Sequence, residues 1–135
     1  MTDLLADTSA LARLLRSGTA VERWRPQLDA GVIATCAVVE LELLWSARGA
    51  VDRKSILSQL RETFSWVVVP DQVFERALDV QDLLSQRGQH RSAGAVDLLV
   101  AATAELSKLT LLHYDGDFEQ VAAVTGQPTR WLAEP

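Results

Sequence analysis

Leu4-Leu5-Ala6-Asp7-Thr8-Ser9-Ala10-Leu11 is the stretch on which the fold turns. It opens as a short apolar run suited to a buried strand, then meets one acid and two hydroxyls. It continues with Leu11, Leu14 and Leu15 at i, i+3 and i+4, the spacing of one helix face, and Gly18 marks the stop. Asp7 therefore stands where a strand passes into a helix. In an open α/β sheet the crevice at the carboxyl ends of the strands is where ligands bind. On this segment alone a helix cap is the simpler reading, because Asp, Thr and Ser all accept hydrogen bonds from the free N–H groups of a first helical turn. The decision rests on whether other acids arrive at equivalent places.

Outward from this stretch, short apolar runs alternate with longer helical patterns. Val32-Ile33-Ala34-Thr35-Cys36, Trp66-Val67-Val68-Val69 and Leu109-Thr110-Leu111-Leu112-His113 read as strands, and Thr129-Arg130-Trp131-Leu132 as a last edge strand. Val21, Trp24 and Leu28 give a second helical face, disturbed at Pro26 and ended by Gly31. A third helix runs through Val38, Leu41 and Trp45 to a stop at Gly49, and a fourth covers Val51 to Phe64. Asp71 is the expected N-cap of a fifth, with Phe74, Ala77, Leu78, Gln81 and Leu84 on one face. An Ala-rich helix from Ala93 to Ser107 is apolar nearly all round and reads as central. Phe118, Val121 and Ala122 mark a last short helix, ended by Gly126. Strands alternating with helices imply a mostly parallel sheet of four to five strands covered on both faces, a three-layer α/β fold with about seven helices.

The chain has 135 residues, the size of one domain, with 48% hydrophobic and 23% charged residues, as in an ordinary globular protein. The single cysteine, Cys36, excludes an internal disulfide framework and a multi-cysteine zinc site. In a buried strand it reads as inert core, and its isolation fits a reducing cytoplasm. Nothing at the N-terminus resembles a signal peptide, and no run approaches the roughly 20 apolar residues of a membrane span. A net charge of −5 argues against binding nucleic acid through overall positive charge, while leaving room for a local basic patch.

Several carboxylates lie at the boundaries of the pattern. Asp7 follows the first strand, and Asp115 and Asp117 follow the fourth, in His113-Tyr114-Asp115-Gly116-Asp117-Phe118. Asp97 sits near the start of the Ala-rich helix, a costly place for an acid with nothing to satisfy it. Glu40 and Glu42 fall inside the helix after the second strand. Two residues apart on a helix is a rotation of roughly 200°, so the two cannot face one pocket together. Glu42 lies beside the Val38, Leu41, Trp45 face, expected to pack inward, which makes it the inward acid. Each acid alone has an ordinary explanation: a cap, a helix-dipole acid, a turn, a solvated side chain. Together they require four coincidences at one sheet edge. Grouped carboxylates repel, and a cluster makes sense if a cation neutralises it. Oxygen donors, without cysteines or paired histidines, suit Mg²⁺, with Mn²⁺ a second choice, and phosphoryl transfer is the chemistry that follows.

These residues resemble the PIN-domain ribonucleases, and among them the VapC-type toxins of type II toxin–antitoxin pairs. Asp7-Thr8-Ser9-Ala10-Leu11, Glu42-Leu43-Leu44-Trp45-Ser46-Ala47-Arg48, Asp97-Leu98-Leu99-Val100-Ala101-Ala102-Thr103-Ala104 and His113-Tyr114-Asp115-Gly116-Asp117-Phe118 are similar to the four family blocks, in order and across nearly the whole chain. The resemblance implies a single PIN domain over residues 1–135 and a Mg²⁺-dependent endoribonuclease. Its acidic quartet would be Asp7, Glu42, Asp97 and Asp115. Asp7 and Asp97 would be direct metal ligands. Asp115 would join the metal site, and with Glu42 it would act through water or position the attacking one. Asp117, Ser9, Thr8 and the neighbouring Glu40 would support the site. With Asp7 given to the metal, capping falls to Thr8 or Ser9.

The family also implies a homodimer and a small cognate VapB-type antitoxin that inserts a basic segment into the acidic site, for which a chain of net −5 is a suitable receptor. Arg87 and Arg91, in the loop leading to Asp97, and Arg13, beside the first block, are candidates for contact with RNA phosphates. Trp24, Trp45, Trp66 and Trp131 occupy apolar patterns that point to core or dimer packing. His90 and His113 receive no role. Two other classes compete. A Mg²⁺ phosphatase of the haloacid-dehalogenase type would want a second acid where Ser9 stands, and a phosphotransfer receiver would want a lysine after a late strand. A catalytically silent PIN-like binding module would keep the acids for a partner alone.

Overall fold

The computed structural model describes residues 2–135. Five strands, β1 (Leu4–Ala6), β2 (Ile33–Thr35), β3 (Ser65–Trp66), β4 (Thr110–His113) and β5 (Thr129–Trp131), form one sheet in the order β3-β2-β1-β4-β5. Every neighbouring pair is parallel. Between them run α1 (Thr8–Arg16), α2 (Gly18–Ala30), α3 (Ala37–Trp45), α4 (Ala50–Thr63), α5 (Val73–Ser85), α6 (Ala95–Leu106) and α7 (Asp117–Thr125).

The order reverses at β1. From β1 the chain steps outward through β2 to β3, then crosses back to β4 and continues to β5. Right-handed crossovers then put α1 to α4 on one face and α5 to α7 on the other. Most of the packing agrees: α1 contacts α2 and α3, and α5 contacts α6 and α7, while α3 and α6 also meet each other. The crevice between the carboxyl ends of β1 and β4 is thus a topological switch point, where ligands bind in open α/β sheets.

Burial explains which strands the sequence announces. β1 and β2 are buried at every position and β4 at all but its first. Leu5, Ala6, Leu111 and Leu112 are fully inaccessible, as continuous apolar runs in a doubly covered sheet require. The edges differ. β3 is two residues long rather than the expected run to Val69; Val67 N–H still reaches Thr35 O at 2.9 Å, but Val68 is exposed.

Two helices depart from the inward face expected of them: α3 turns its other side in, and α5 keeps Ala77 and Leu84 inside but is rotated about its axis. In α3 the buried residues are Val39, Glu40, Leu43 and Leu44, while Leu41 and Trp45 stand 68% and 88% exposed. In α5, Val73, Ala77, Val80 and Leu84 are buried, and Phe74 and Leu78 face outward. Both helices carry apolar residues on two sides, so periodicity alone offers two inward faces. The cap expected at Asp71 is also displaced: Val73 N–H closes a turn on Pro70 O, and Gln72 precedes α5 without a side-chain bond. Trp24 is core as expected, its indole N–H bonded to Leu132 O at 2.7 Å, and Cys36 is a buried free thiol.

Candidate active site

The site grows from the junction of β1 and β4. Ala6 pairs with Leu112, and Asp7 N–H extends the ladder to Leu112 O at 3.0 Å. Asp7 is 4% exposed and caps α1 itself: Oδ1 accepts Ala10 N–H at 3.0 Å. Capping therefore belongs to Asp7, not to Thr8 or Ser9, because the strand leaves its side chain directly beneath the first helical turn. The cap and a metal role are compatible, since a carboxylate has more lone pairs than a cap uses. Burial pushes the Asp7 carboxyl above the ordinary aspartate value, and hydrogen bonds from Ser9 and Ala10 pull it part of the way back.

Ser9 and Thr8 splay to different partners. Ser9 Oγ lies 2.7 Å and 2.9 Å from the two Asp7 carboxylate oxygens and accepts Tyr114 N–H at 2.9 Å. Thr8 Oγ1 donates to Glu42 Oε1 from α3. One strand end thus fixes an acid on its own element, aims a second from α3 and holds the loop after β4.

Asp97 is in the first turn of α6, where its Oδ2 accepts Gly94 N–H at 3.4 Å. Burial raises its pKa to about 6, helped by the charges of Glu42, Asp115 and Asp7. Glu42 from α3, Asp115 from the loop after β4 and Asp7 from the end of β1 are therefore all close enough to bear on Asp97 of α6. Asp115 Oδ1 accepts Asp117 N–H at 2.9 Å, and Asp117 is raised by burial and by the Asp115 charge. Asp117 thus flanks the quartet at its rim.

Glu40 is not part of this group. It is 5% exposed on the other side of α3, with Arg61 Nε at 3.5 Å from its Oε1. Of the two glutamates it is Glu42 whose charge bears on Asp97, although the Leu41–Trp45 face does not pack inward; its carboxylate accepts a hydrogen bond from the Thr8 hydroxyl. Arg87 and Arg91 are exposed in the loop before α6. Arg13 is exposed too, its guanidinium 4.0 Å from the centre of the Tyr114 ring. Among the described residues no ion pair engages these three arginines. A cleft of about 480 Å³ between α1, α3 and α4, lined by Leu15, Arg16, Leu43, Ser46, Arg48 and Asp52, contains none of the four acids.

Sequence reasoning passed over two residues beside the site. His113, left without a role, is fully buried and bonded through both ring nitrogens, and Glu119, never singled out, is one of its partners. Their spacing of six residues across a strand end and a helix start follows no regular period, so no sequence signal joined them.

The donor set fits a hard divalent cation: it is all oxygen, and a partly buried Asp97 carboxyl, raised by burial and further by the charges of Glu42, Asp115 and Asp7, is the imbalance that such a charge relieves. Among the described residues no three acid, histidine or cysteine side chains form a ready-made metal cage. Mg²⁺ does not require one, because it keeps several waters and takes one or two carboxylates directly.

The chain is similar in sequence and in fold to several known proteins. Over 129 residues the chain is 42% identical to Ribonuclease VapC2 of Mycobacterium tuberculosis, covering 95% of this chain and 91% of that protein. Over 113 residues it is 38% identical to Ribonuclease VapC21 of the same species, covering 84% and 82%. Among solved structures, VapBC2 from Rickettsia felis bound to a promoter DNA fragment superposes with a TM-score of 0.79 at 15% identity, covering 96% of this chain and 98% of that one. VapBC-5 from Mycobacterium tuberculosis superposes with a TM-score of 0.61 at 22% identity, covering 97% and 98%. At these identities the structural matches establish the shared fold. The PIN domain family profile matches residues 4–124, and the chain belongs to the PIN-domain family.

Proposed function

We propose that this protein is a divalent-metal-dependent endoribonuclease and the toxin of a toxin–antitoxin pair. The observation that carries the reading is the convergence of Asp7, Glu42 and Asp115, from three separate elements, on Asp97 of a fourth, where burial, helped by their charges, raises the Asp97 pKa to about 6. Relatives named as VapC ribonucleases, and a fold shared with VapBC complexes, support it. PIN-family membership also leaves no ground for the phosphatase or receiver readings.

Asp7, Asp97 and Asp115 would hold Mg²⁺, with Mn²⁺ as a substitute. Bound there, the cation would polarise the scissile phosphodiester and stabilise the leaving oxygen. The remaining work falls to the chain. Glu42, aimed by the Thr8 hydroxyl, orients the attacking water and takes up its proton. Ser9 keeps Asp7 and the 114–117 loop in register, and Asp117 adds negative charge at the rim. Arg13, Arg87 and Arg91, exposed and without carboxylate partners among the described residues, supply the cationic contacts that a chain of net −5 needs for RNA.

The same acidic site is a receptor for a basic segment of a VapB-type antitoxin. A second copy of the chain fits the unpartnered apolar face of α3, α5 and α6. Leu41 and Trp45 border one shallow groove and Phe74 and Leu78 another, and Leu99 belongs to both. No helix among the described residues is long and apolar enough to cross a membrane, and the free Cys36 thiol suits the cytoplasm.

The test is cleavage of RNA by purified protein freed of antitoxin, with Mg²⁺ or Mn²⁺ and with EDTA. Cleavage that requires the metal and disappears in Asp7→Ala and Asp97→Ala, both still folded, is the expected result. Full cleavage by both variants, or a wild type that binds antitoxin but never cuts RNA, overturns the reading in favour of a silent binding module.

A further inference from the structure

His113 is a polar ring with no exposed surface, yet both of its nitrogens are engaged. Nδ1 accepts Asp115 N–H at 3.2 Å, so that nitrogen carries no proton. The ring proton is on Nε2, 2.7 Å from Glu119 Oε2. Thr129 Oγ1 donates to the same carboxylate oxygen at 2.8 Å, anchoring Glu119 to β5. Phe118 and Trp131 flank the imidazole with ring centroids 5.4 Å and 4.7 Å away, and His113 O accepts Leu132 N–H at 2.8 Å. A flipped ring would set carbon against both Glu119 and Asp115. One orientation and one tautomer satisfy every partner.

We infer that Glu119 and His113 are positioning residues for the site: Glu119 fixes the tautomer of His113, and His113 Nδ1 holds the backbone of Asp115 in place. This rests on the ribonuclease reading above and adds to it how the fourth acid is kept there. Asp115 sits in the loop after β4, with its charge set against the Asp97 carboxylate. A side-chain cation could restrain it only by neutralising the site. A hydrogen bond to its backbone restrains it without doing so. The ring is buried and Glu119 points to β5, so neither side chain meets substrate.

The experiment pairs turnover with a signature that needs no turnover. Long-range ¹H–¹⁵N spectra of the metal-free protein report which His113 nitrogen is protonated, and hydrogen exchange reports the Asp115 amide. In the wild type Nε2 is expected to carry the proton and the Asp115 amide to be protected. Glu119→Gln keeps an oxygen acceptor and should keep the tautomer and most of the turnover. Glu119→Lys offers Nε2 only a donor, drives the proton to Nδ1 and should expel Asp115 N–H. His113→Phe keeps a ring between Phe118 and Trp131 and removes the acceptor.

Both of these variants should lose Asp115 protection and lower kcat roughly 10- to 100-fold, the range for lost supporting partners, without raising KM for RNA. An Nδ1-protonated wild type, or wild-type kcat in Glu119→Lys, overturns the proposal. Glu119 is exposed, so its variants decide the matter should His113→Phe not fold. If the wild type itself cuts no RNA, the ribonuclease reading fails, while the tautomer and the Asp115 amide still decide the positioning roles.

Discussion

Ser9 Oγ accepts Tyr114 N–H at 2.9 Å while lying 2.7 Å from Asp7 Oδ1, so one hydroxyl joins the start of the chain to the loop after β4. With its proton given to Asp7 and a lone pair given to Tyr114, it leaves neither neighbour free to move alone. Ser9→Ala should weaken Mg²⁺ binding about 10-fold, as removal of a supporting hydrogen bond commonly does. It also removes a bond that lowers the Asp7 pKa, so the metal-free Asp7 carboxyl should titrate higher still. Calorimetric Mg²⁺ titration and carboxyl NMR check both parts; unchanged affinity would show that the link is ornamental to the site.

Asp97 makes stability depend on pH in a defined direction. Its pKa is raised from 3.8 to about 6 in the folded chain, so between those values the native state keeps a proton that the unfolded state has released. The stability slope follows protons bound unfolded minus folded, so stability falls as pH rises through that window, and the full cost is present above it. Asp97→Asn should therefore raise Tm at pH 7.5 in EDTA and lose that advantage by about pH 4. Mg²⁺ should raise the wild-type Tm more than that of the variant, because binding to the native state stabilises it. An Asn variant whose Tm gain is the same at both pH values contradicts the assignment.

Glu40 and Glu42 show where the sequence was readable and where it was not. The interior strands were legible because β1, β2 and β4 are covered on both faces and show as unbroken apolar runs. The acids were legible because the switch point gathers residues at strand ends and helix starts. The inward face of α3 was not, because Val39, Leu43 and Leu44 compete with Leu41 and Trp45, and only the second set is left outside. α5 hides its face in the same way, with Phe74 and Leu78 outward. Glu42→Gln should abolish cleavage with little change in Tm. Glu40→Gln should leave kcat near wild type, since its partner is Arg61 and not the quartet. The opposite pattern, by single-turnover assay, would move the second block by two residues.

Trp45 is 88% exposed on a helix whose other side is core, and an indole left in water beside Leu41 and Leu99 asks for a cover. Trp45→Glu should leave the fold intact and shift the protein from dimer to monomer, with a dissociation constant at least about 100-fold weaker, the scale of a central aromatic anchor. Sedimentation velocity over a concentration series reads this directly. A wild type that stays monomeric at high concentration removes the apolar face from the self-association account.

Arg91 has the clearest consequence for RNA, because charge and position separate there. It lies in the loop that leads into α6 and Asp97, is exposed, and has no carboxylate partner among the described residues. If it meets a phosphate, Arg91→Ala should weaken RNA binding evenly across sequences and reduce the salt slope by about 1. Arg61→Ala is the control: its guanidinium is already held between Glu40 and the Trp66 ring, so its loss should leave the slope unchanged. Measured in Asp7→Asn protein, so that RNA is bound but not cut, equal slopes for wild-type Arg91 and its alanine variant would take Arg91 off the path of the RNA.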